Sequence, residues 1–269
     1  MERDNNIQTE LNSEYEVKDS EVQNKSGNYL FTVGNVSAGK STLQNLIIYR
    51  LWRREDIDVE YNSKEGDYRH DGILDKWVTR LQAGYLPNRT EQGKLQEFTI
   101  RVAQENKKKL DLSFLEISGE DIKSIIPDVG STQKPKVNKL LVDYLSSNKK
   151  KINKRFIFVS DASANRKKKS NYKASEISED ILFNHFLRYL LSKNGINLKR
   201  IRILFIVSKW DIINKEYKSV REYLNKNFTQ TRAVLKQDRC DVSYLKFSVG
   251  EVSFNEKENK EKIVRLDYS

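Results

Sequence analysis

The stretch that constrains this chain most is Gly34-Asn35-Val36-Ser37-Ala38-Gly39-Lys40-Ser41-Thr42. It is set between the apolar run Tyr29 to Val33 and a segment carrying Leu43, Leu46, Ile47, Ile48 and Leu51. Gly34, Gly39, Lys40 and Ser41 fill the pattern GxxxxGK[ST], and the flanks supply the strand before it and the helix after it that such a loop needs. Two glycines let the backbone wrap an anion, while successive N–H groups from Asn35 to Thr42 and the following helix N-terminus supply positive potential. Lys40 is placed to reach the β- and γ-phosphates of a nucleoside triphosphate, and Ser41 to meet Mg²⁺. The chain must therefore build a strand, a phosphate-binding loop and a helix in immediate succession.

The remaining pattern continues that alternation. Residues 1–27 are polar and largely acidic (Glu10, Glu14, Glu16, Asp19, Glu21) and read as a flexible tail ahead of a domain spanning 28–269. An insertion at about 53–89 carries a helix with Ile73, Leu74, Trp77, Val78 and Leu81 on one face. Phe98 to Val102 and Leu110 to Leu115 alternate as an antiparallel hairpin joined by the polar turn Gln104 to Lys109. Helix from Pro135 to Leu145, strand from Arg155 to Ser160, helix from Ser175 to Lys193, strand from Ile201 to Val207, a helical region around Val220 to Phe228 and strand from Val242 to Phe247 follow. The expected architecture is α/β, with a mostly parallel sheet covered on both faces.

Composition narrows the function classes. The 269 residues hold one cysteine, Cys240, and two separate histidines, His70 and His185, which argues against a disulfide framework and a zinc site. No apolar run reaches membrane-span length, and the N-terminus has neither a signal peptide nor a myristoylation glycine, so a cytoplasmic protein without integral membrane contact is expected. The net charge of +11 comes from lysine clusters at Lys107–Lys109, Lys149–Lys151 and Arg166–Lys169 that lack interleaved aromatics. Solvated loops, or at most a peripheral anionic surface, fit them better than a nucleic-acid groove.

The base-recognising elements come next. Ser208-Lys209-Trp210-Asp211, directly after the Ile201 to Val207 strand, resembles the [NT]KxD element of GTPases, with Ser in the first position. The resemblance implies that the Asp211 carboxylate accepts from the two guanine N–H positions and that the Lys209 stem covers the base. Phe247-Ser248-Val249-Gly250 resembles the SA[KL] loop whose backbone N–H meets guanine O6. Thr90 resembles the switch I threonine that closes on Mg²⁺, and Glu116-Ile117-Ser118-Gly119 resembles DxxG, its acid serving Mg²⁺ through water and the Gly119 N–H serving the γ-phosphate. Asp161 is a second candidate for the metal-side acid. Glu120 stands where relatives carry a water-orienting Gln, which predicts slow turnover, and Arg89 is the candidate for a catalytic cation supplied by the chain itself.

In this order the elements resemble the Ras-like P-loop GTPases of the TRAFAC class over about residues 28–250. The resemblance implies a three-layer fold with a six-stranded sheet, one strand antiparallel, a helical insertion before switch I and a shortened C-terminus. The loop GNVSAGKST is similar to dynamin-type GTPases, and LPNRT and EISGED to small bacterial GTPases grouped with double-GTPase and conflict-system proteins. The implied function is a GTP-hydrolysing switch that binds GTP/GDP with Mg²⁺ and a protein effector or a second copy of itself. A dynamin-like assembly module is the alternative, followed by a P-loop ATPase or nucleotide kinase.

Overall fold

Tyr29, Phe31 and Val33 are buried on one side of their strand, and Thr32 is buried with half-buried Leu30 on the other, so β1 (Gly27–Gly34) lies inside a sheet rather than at its edge. The computed structural model describes residues 27–61, 78–79, 81–85, 95–126, 139–146, 152–167, 177–192, 201–255 and 260–266. After β1 come α1 (Lys40–Trp52), β2 (Ile57–Tyr61), β3 (Leu95–Gln104), β4 (Leu110–Ile117), α2 (Gly119–Lys123) and α3 (Lys139–Ser146). The chain continues through β5 (Ile152–Asp161), α4 (Ala162–Lys167), α5 (Glu179–Ser192), β6 (Arg202–Ser208), α6 (Val220–Asn227), α7 (Thr229–Gln237) and β7 (Asp241–Lys246).

These strands form one seven-stranded sheet in the order β2-β3-β4-β1-β5-β6-β7. Only β3 opposes its neighbours, pairing antiparallel with both β2 and β4, while β1 runs parallel to β4 and β5, and β6 parallel to β5 and β7. The sheet has one strand more than expected. Ile57-Asp58-Val59-Glu60-Tyr61 lies in a stretch that reads as polar insertion, yet Ile57, Val59 and Tyr61 turn inward against Phe98 and Ile100 while Asp58 and Glu60 face outward. Two outward acids also suit an edge strand, because charge there discourages pairing with another chain.

Period-two alternation divides the core between the sheet's faces. Phe156, Phe158, Phe205 and Val207 pack with Phe183, Phe186 and Leu187 of α5 and with Phe228; Ile157, Val159 and Ile206 point the other way, toward Leu43 of α1. The first face is built on rings: Phe158 stacks on Phe183 at 5.0 Å, and Phe205 meets Phe228 edge-on at 5.2 Å. Burying each such ring contributes about 1.5–3 kcal/mol. Rigid packing on both faces leaves the loops at the carboxyl ends of the strands as the variable rim, where open α/β sheets bind ligands.

Of the expected inserted helix, Val78, Thr79, Leu81 and Gln82 are helical and Ala83-Gly84 is a turn; Val78 and Leu81 pack against Tyr49 of α1. Residues 62–77 and 86–94, with Arg89 and Thr90, lie outside the described residues, as do 1–26. Lys107–Lys109 form the exposed β3–β4 turn, at the sheet edge opposite the phosphate loop; Lys149–Lys151 and Lys168–Lys169 lie outside the described residues. At the C-terminus, the strand-like run ending in Leu266 becomes β9 (Lys260–Leu266), paired antiparallel with β8 (Gly250–Asn255) as a separate two-stranded sheet. Cys240 is half-buried, its thiol pushed up to about 11 by burial and then by Asp238, which suits a structural residue.

Candidate functional site

At the end of β1 the backbone turns under tight constraints. A side chain at Gly34 would place its first carbon 2.5 Å from the carbonyl oxygen of Val159 on β5, so the close strand approach admits only glycine. Gly39 caps α1 with φ 84°, a left-handed conformation cheap only for glycine. Ser37 adopts φ 61° without that freedom, a strain of roughly 1–3 kcal/mol that functional loops commonly hold. The Val36 N–H donates to Asn35 Oδ1 (3.0 Å) and the Ala38 N–H to Asn35 O (3.3 Å), fixing the loop's first half. Lys40, nearly buried, arches back and donates from Nζ to Gly34 O (3.2 Å) and Asn35 O (3.0 Å), so its ammonium spans the loop mouth. Thr42 follows in the first turn of α1.

The segment after β4 closes one side. Ser41 Oγ donates to Glu116 Oε1, which joins the start of α1 to β4. These are two oxygen donors, a hydroxyl and a carboxylate, beside a phosphate-binding loop, and that donor set fits Mg²⁺, a hard cation that takes few protein ligands and keeps phosphates and water. Two residues on, Ser118 caps α2, accepting from the Asp121 N–H (3.0 Å) and donating to Asp121 Oδ2 (2.8 Å). Gly119 then lies against the phosphate loop: an added carbon there would sit 2.8 Å from the carbonyl carbon of Asn35 and from Val36 Cγ2, and closer still to the Val36 nitrogen. Glu120 is half-buried in the first turn of α2.

The opposite side is made by the ends of β6 and β7. Lys209 adopts φ 55°, which turns the chain into a short 3₁₀ helix over Trp210–Ile212. Trp210 is buried edge-on against Tyr223, and its backbone N–H donates to Phe247 O (3.1 Å). The Asp211 N–H donates to Ser248 Oγ (3.1 Å), so Asp211, Ser248 and Val249 share one rim, with the Asp211 side chain exposed. Ser208 does not bond to the phosphate loop; it donates to Ser160 O (3.0 Å) on β5. Lys209 makes the link instead, its Nζ lying 3.4 Å from Ser37 O and 2.7 Å from Asp161 Oδ2. Asp161, the second candidate for the metal-side acid, is thus engaged by Lys209 while Glu116 takes Ser41. Glu179, fully buried in the first turn of α5, accepts from the Asp161 N–H (2.9 Å); an acid in the first turn of a helix is ordinary, and nothing in the sequence marks this one as buried.

Four loops, after the mutually parallel strands β1, β4, β6 and β7, therefore meet at one edge of the sheet, with a lysine-capped phosphate loop on one side and an exposed aspartate on the other. This is a P-loop nucleotide-binding protein. A family profile for Double-GTPase 1 matches residues 31–268. The chain belongs to that family of GTPases and binds guanine nucleotide. No curated protein matches it. Among solved structures it is similar to the signal recognition particle receptor SRb-GTP/SRX complex from Chaetomium thermophilum, at 13% identity and a TM-score of 0.40 over 84% of this chain and 93% of that one. A probable GTP-binding protein engB gives 18% identity and a TM-score of 0.35 over 81% and 88%. At these scores neither likeness bears on function.

Proposed function

We propose that the protein is a molecular switch that binds GTP with Mg²⁺, hydrolyses it slowly and exchanges partners between its GTP and GDP states. The observation that carries this reading is the contact of Gly119 with Asn35 and Val36. A γ-phosphate in the loop would lie beside the segment leading into α2, so its arrival and loss would be felt there first. Lys40 would neutralise charge on the β- and γ-phosphates. Ser41 and Glu116 would hold Mg²⁺, which when bound supplies further charge neutralisation between the phosphates. Asp211 would select guanine, Lys209 would lie along the base, and Ser248 and Val249 would close the base pocket. Thr90 and Arg89, outside the described residues, carry over as the γ-phosphate sensor and the catalytic cation.

Glu120 supports slow hydrolysis. A carboxylate can accept from the attacking water, but its charge opposes the phosphate it must face. Phosphate release from GTP, measured with Mg²⁺ for wild type, Glu116→Ala and Glu120→Gln, tests the reading. Turnover should require Glu116 and should rise in Glu120→Gln; activity indifferent to both substitutions would overturn it. A cytoplasmic location, proposed alongside, rests on a single unpaired cysteine that suits a reducing compartment.

One observation favours GTP-dependent assembly as a second reading. Strand β7, last in the sheet order and without a second partner strand among the described residues, exposes Tyr244 (42%) and Leu245 (47%) on its two faces. Light scattering in GTP against GDP separates the two: assembly should raise scattering only in GTP and lose the rise in Leu245→Lys, whereas a simple switch scatters equally in both.

A further inference from the structure

Asp161 is the last residue of β5 and pairs in register with Ser208, the last residue of β6. That register sets its carboxylate beside the lysine that follows Ser208. One oxygen, Oδ2, accepts from Lys209 Nζ at 2.7 Å; the other, Oδ1, accepts from the Ser163 N–H (2.8 Å) and Ser163 Oγ (2.6 Å). Both oxygens are thus fixed, and the carboxylate cannot swing away from the ammonium without losing bonds. Asp161 is nearly buried in this ion pair whereas Lys209 is 41% exposed, so the acid is the anchor and the lysine the part that reaches outward.

Behind Asp161 stands a second acid. Glu179, at the start of α5, is fully buried, and its two oxygens accept from Ser160 Oγ (2.6 Å) and from the Asp161 N–H (2.9 Å). Ser160 Oγ also meets Tyr223 OH (3.1 Å), and Ser160 O accepts from Ser208 Oγ (3.0 Å). The tip of β5 is therefore held from three sides, by α5, α6 and β6, directly beneath the lysine.

We infer that Asp161, braced by Glu179, is the positioning residue that sets Lys209 between the phosphate loop and the nucleotide base. The inference rests on the reading of Lys209 as a base-side residue. Lys209 contacts the phosphate loop only through the carbonyl of Ser37, at the long distance of 3.4 Å, whereas the bond to Asp161 is short and charged. Without Asp161 the long lysine side chain samples its rotamers, and nucleotide binding must then order it. Base-side contacts are shared by GDP and GTP, so both should weaken alike, chiefly through faster release.

The test is a double-mutant cycle read by fluorescent GDP and a non-hydrolysable fluorescent GTP analogue, using wild type, Asp161→Asn, Lys209→Ala and the double variant. Asp161→Asn should weaken both nucleotides by about fivefold to tenfold, and the same change in the Lys209→Ala background should weaken them less than about twofold. Equal losses in both backgrounds would mean that Asp161 acts on the fold alone and would overturn the inference, as would a silent Asp161→Asn beside a weakened Lys209→Ala. A silent Lys209→Ala in a protein that still binds GDP would instead show that the base-side reading of Lys209 itself is wrong. If Asp161→Asn does not fold, Asp161→Ser, which leaves no carboxylamide to satisfy, runs through the same cycle with the same criteria.

Discussion

Replacing Gly119 with alanine tests the switch contact at its narrowest point. Gly119 does not use a left-handed φ, so the substitution acts through space rather than backbone strain. The new carbon would stand 2.8 Å from the Asn35 carbonyl carbon and from Val36 Cγ2, and nearer to the Val36 nitrogen. Ordinary contact needs at least roughly 0.6 Å more. The Val36 side chain can turn aside, but the carbonyls of Gly34 and Asn35 are held by Lys40 and the Val36 N–H by Asn35 Oδ1, so the start of α2 must give way. Overpacking costs about 1–3 kcal/mol in a core and less at a rim that can shift, so the melting temperature should fall by only about 2–4 °C. The effect on GTP should be larger. A Gly119 N–H moved by that distance loses most of a charge-assisted bond to the γ-phosphate, worth about 1.5–3 kcal/mol, or roughly 10-fold to 100-fold in affinity. GDP, which lacks the γ-phosphate, should bind within about threefold of wild type. Titration with fluorescent GDP and a non-hydrolysable GTP analogue, beside a thermal melt, reads all three quantities. Equal loss of both nucleotides, or loss of neither in a folded protein, refutes the assignment of Gly119 as γ-phosphate sensor.

Other predictions follow from buried charge. Glu179→Ala removes the acceptor of Ser160 Oγ and of the Asp161 N–H, each costing about 1–3 kcal/mol when left unmade in the interior, so the melting temperature should drop by on the order of 10 °C; a change under about 2 °C would contradict the brace. Lys154, on β5, donates to Leu145 O (2.8 Å), and its ammonium is lowered to about 8 by burial. Its folded pKa lies below its unfolded one, so the unfolded chain binds the proton more tightly, and its contribution to stability should rise with pH between about 8 and 10.5. Melting temperatures of wild type and Lys154→Met should therefore converge over that window, with the variant more stable at pH 7; a constant difference across it would contradict the burial account.

The parts of this molecule that sequence reveals are those decided locally. Lys40, Ser41 and the two loop glycines stand where the spacing puts them, and the Phe98–Leu115 hairpin pairs as its alternation requires. What sequence hides is decided by register and by distant partners. Ile57 to Tyr61 alternates, but five residues with two acids are as consistent with a polar loop; only the row of β3 groups opposite makes them a strand. Asp161 looks like a metal-side acid because it ends an apolar run, and only the pairing of β5 with β6 sets it beside Lys209. Glu179 acquires its role because a helix begins eighteen residues later in the chain but directly behind that strand tip.

The central claim is that this site reads a guanine base through Asp211, whose backbone is tied to Ser248 and whose side chain is exposed. The most direct measurement is the affinity of GTP and ATP, side by side, for wild type and Asp211→Ala. Two hydrogen bonds to a charged acceptor are worth about 1.5–3 kcal/mol each, so wild type should prefer GTP by at least about 100-fold, and Asp211→Ala should lose that preference while leaving ATP affinity within about threefold. Equal affinity of the wild-type protein for GTP and ATP, or a preference for GTP that survives in Asp211→Ala, would contradict it.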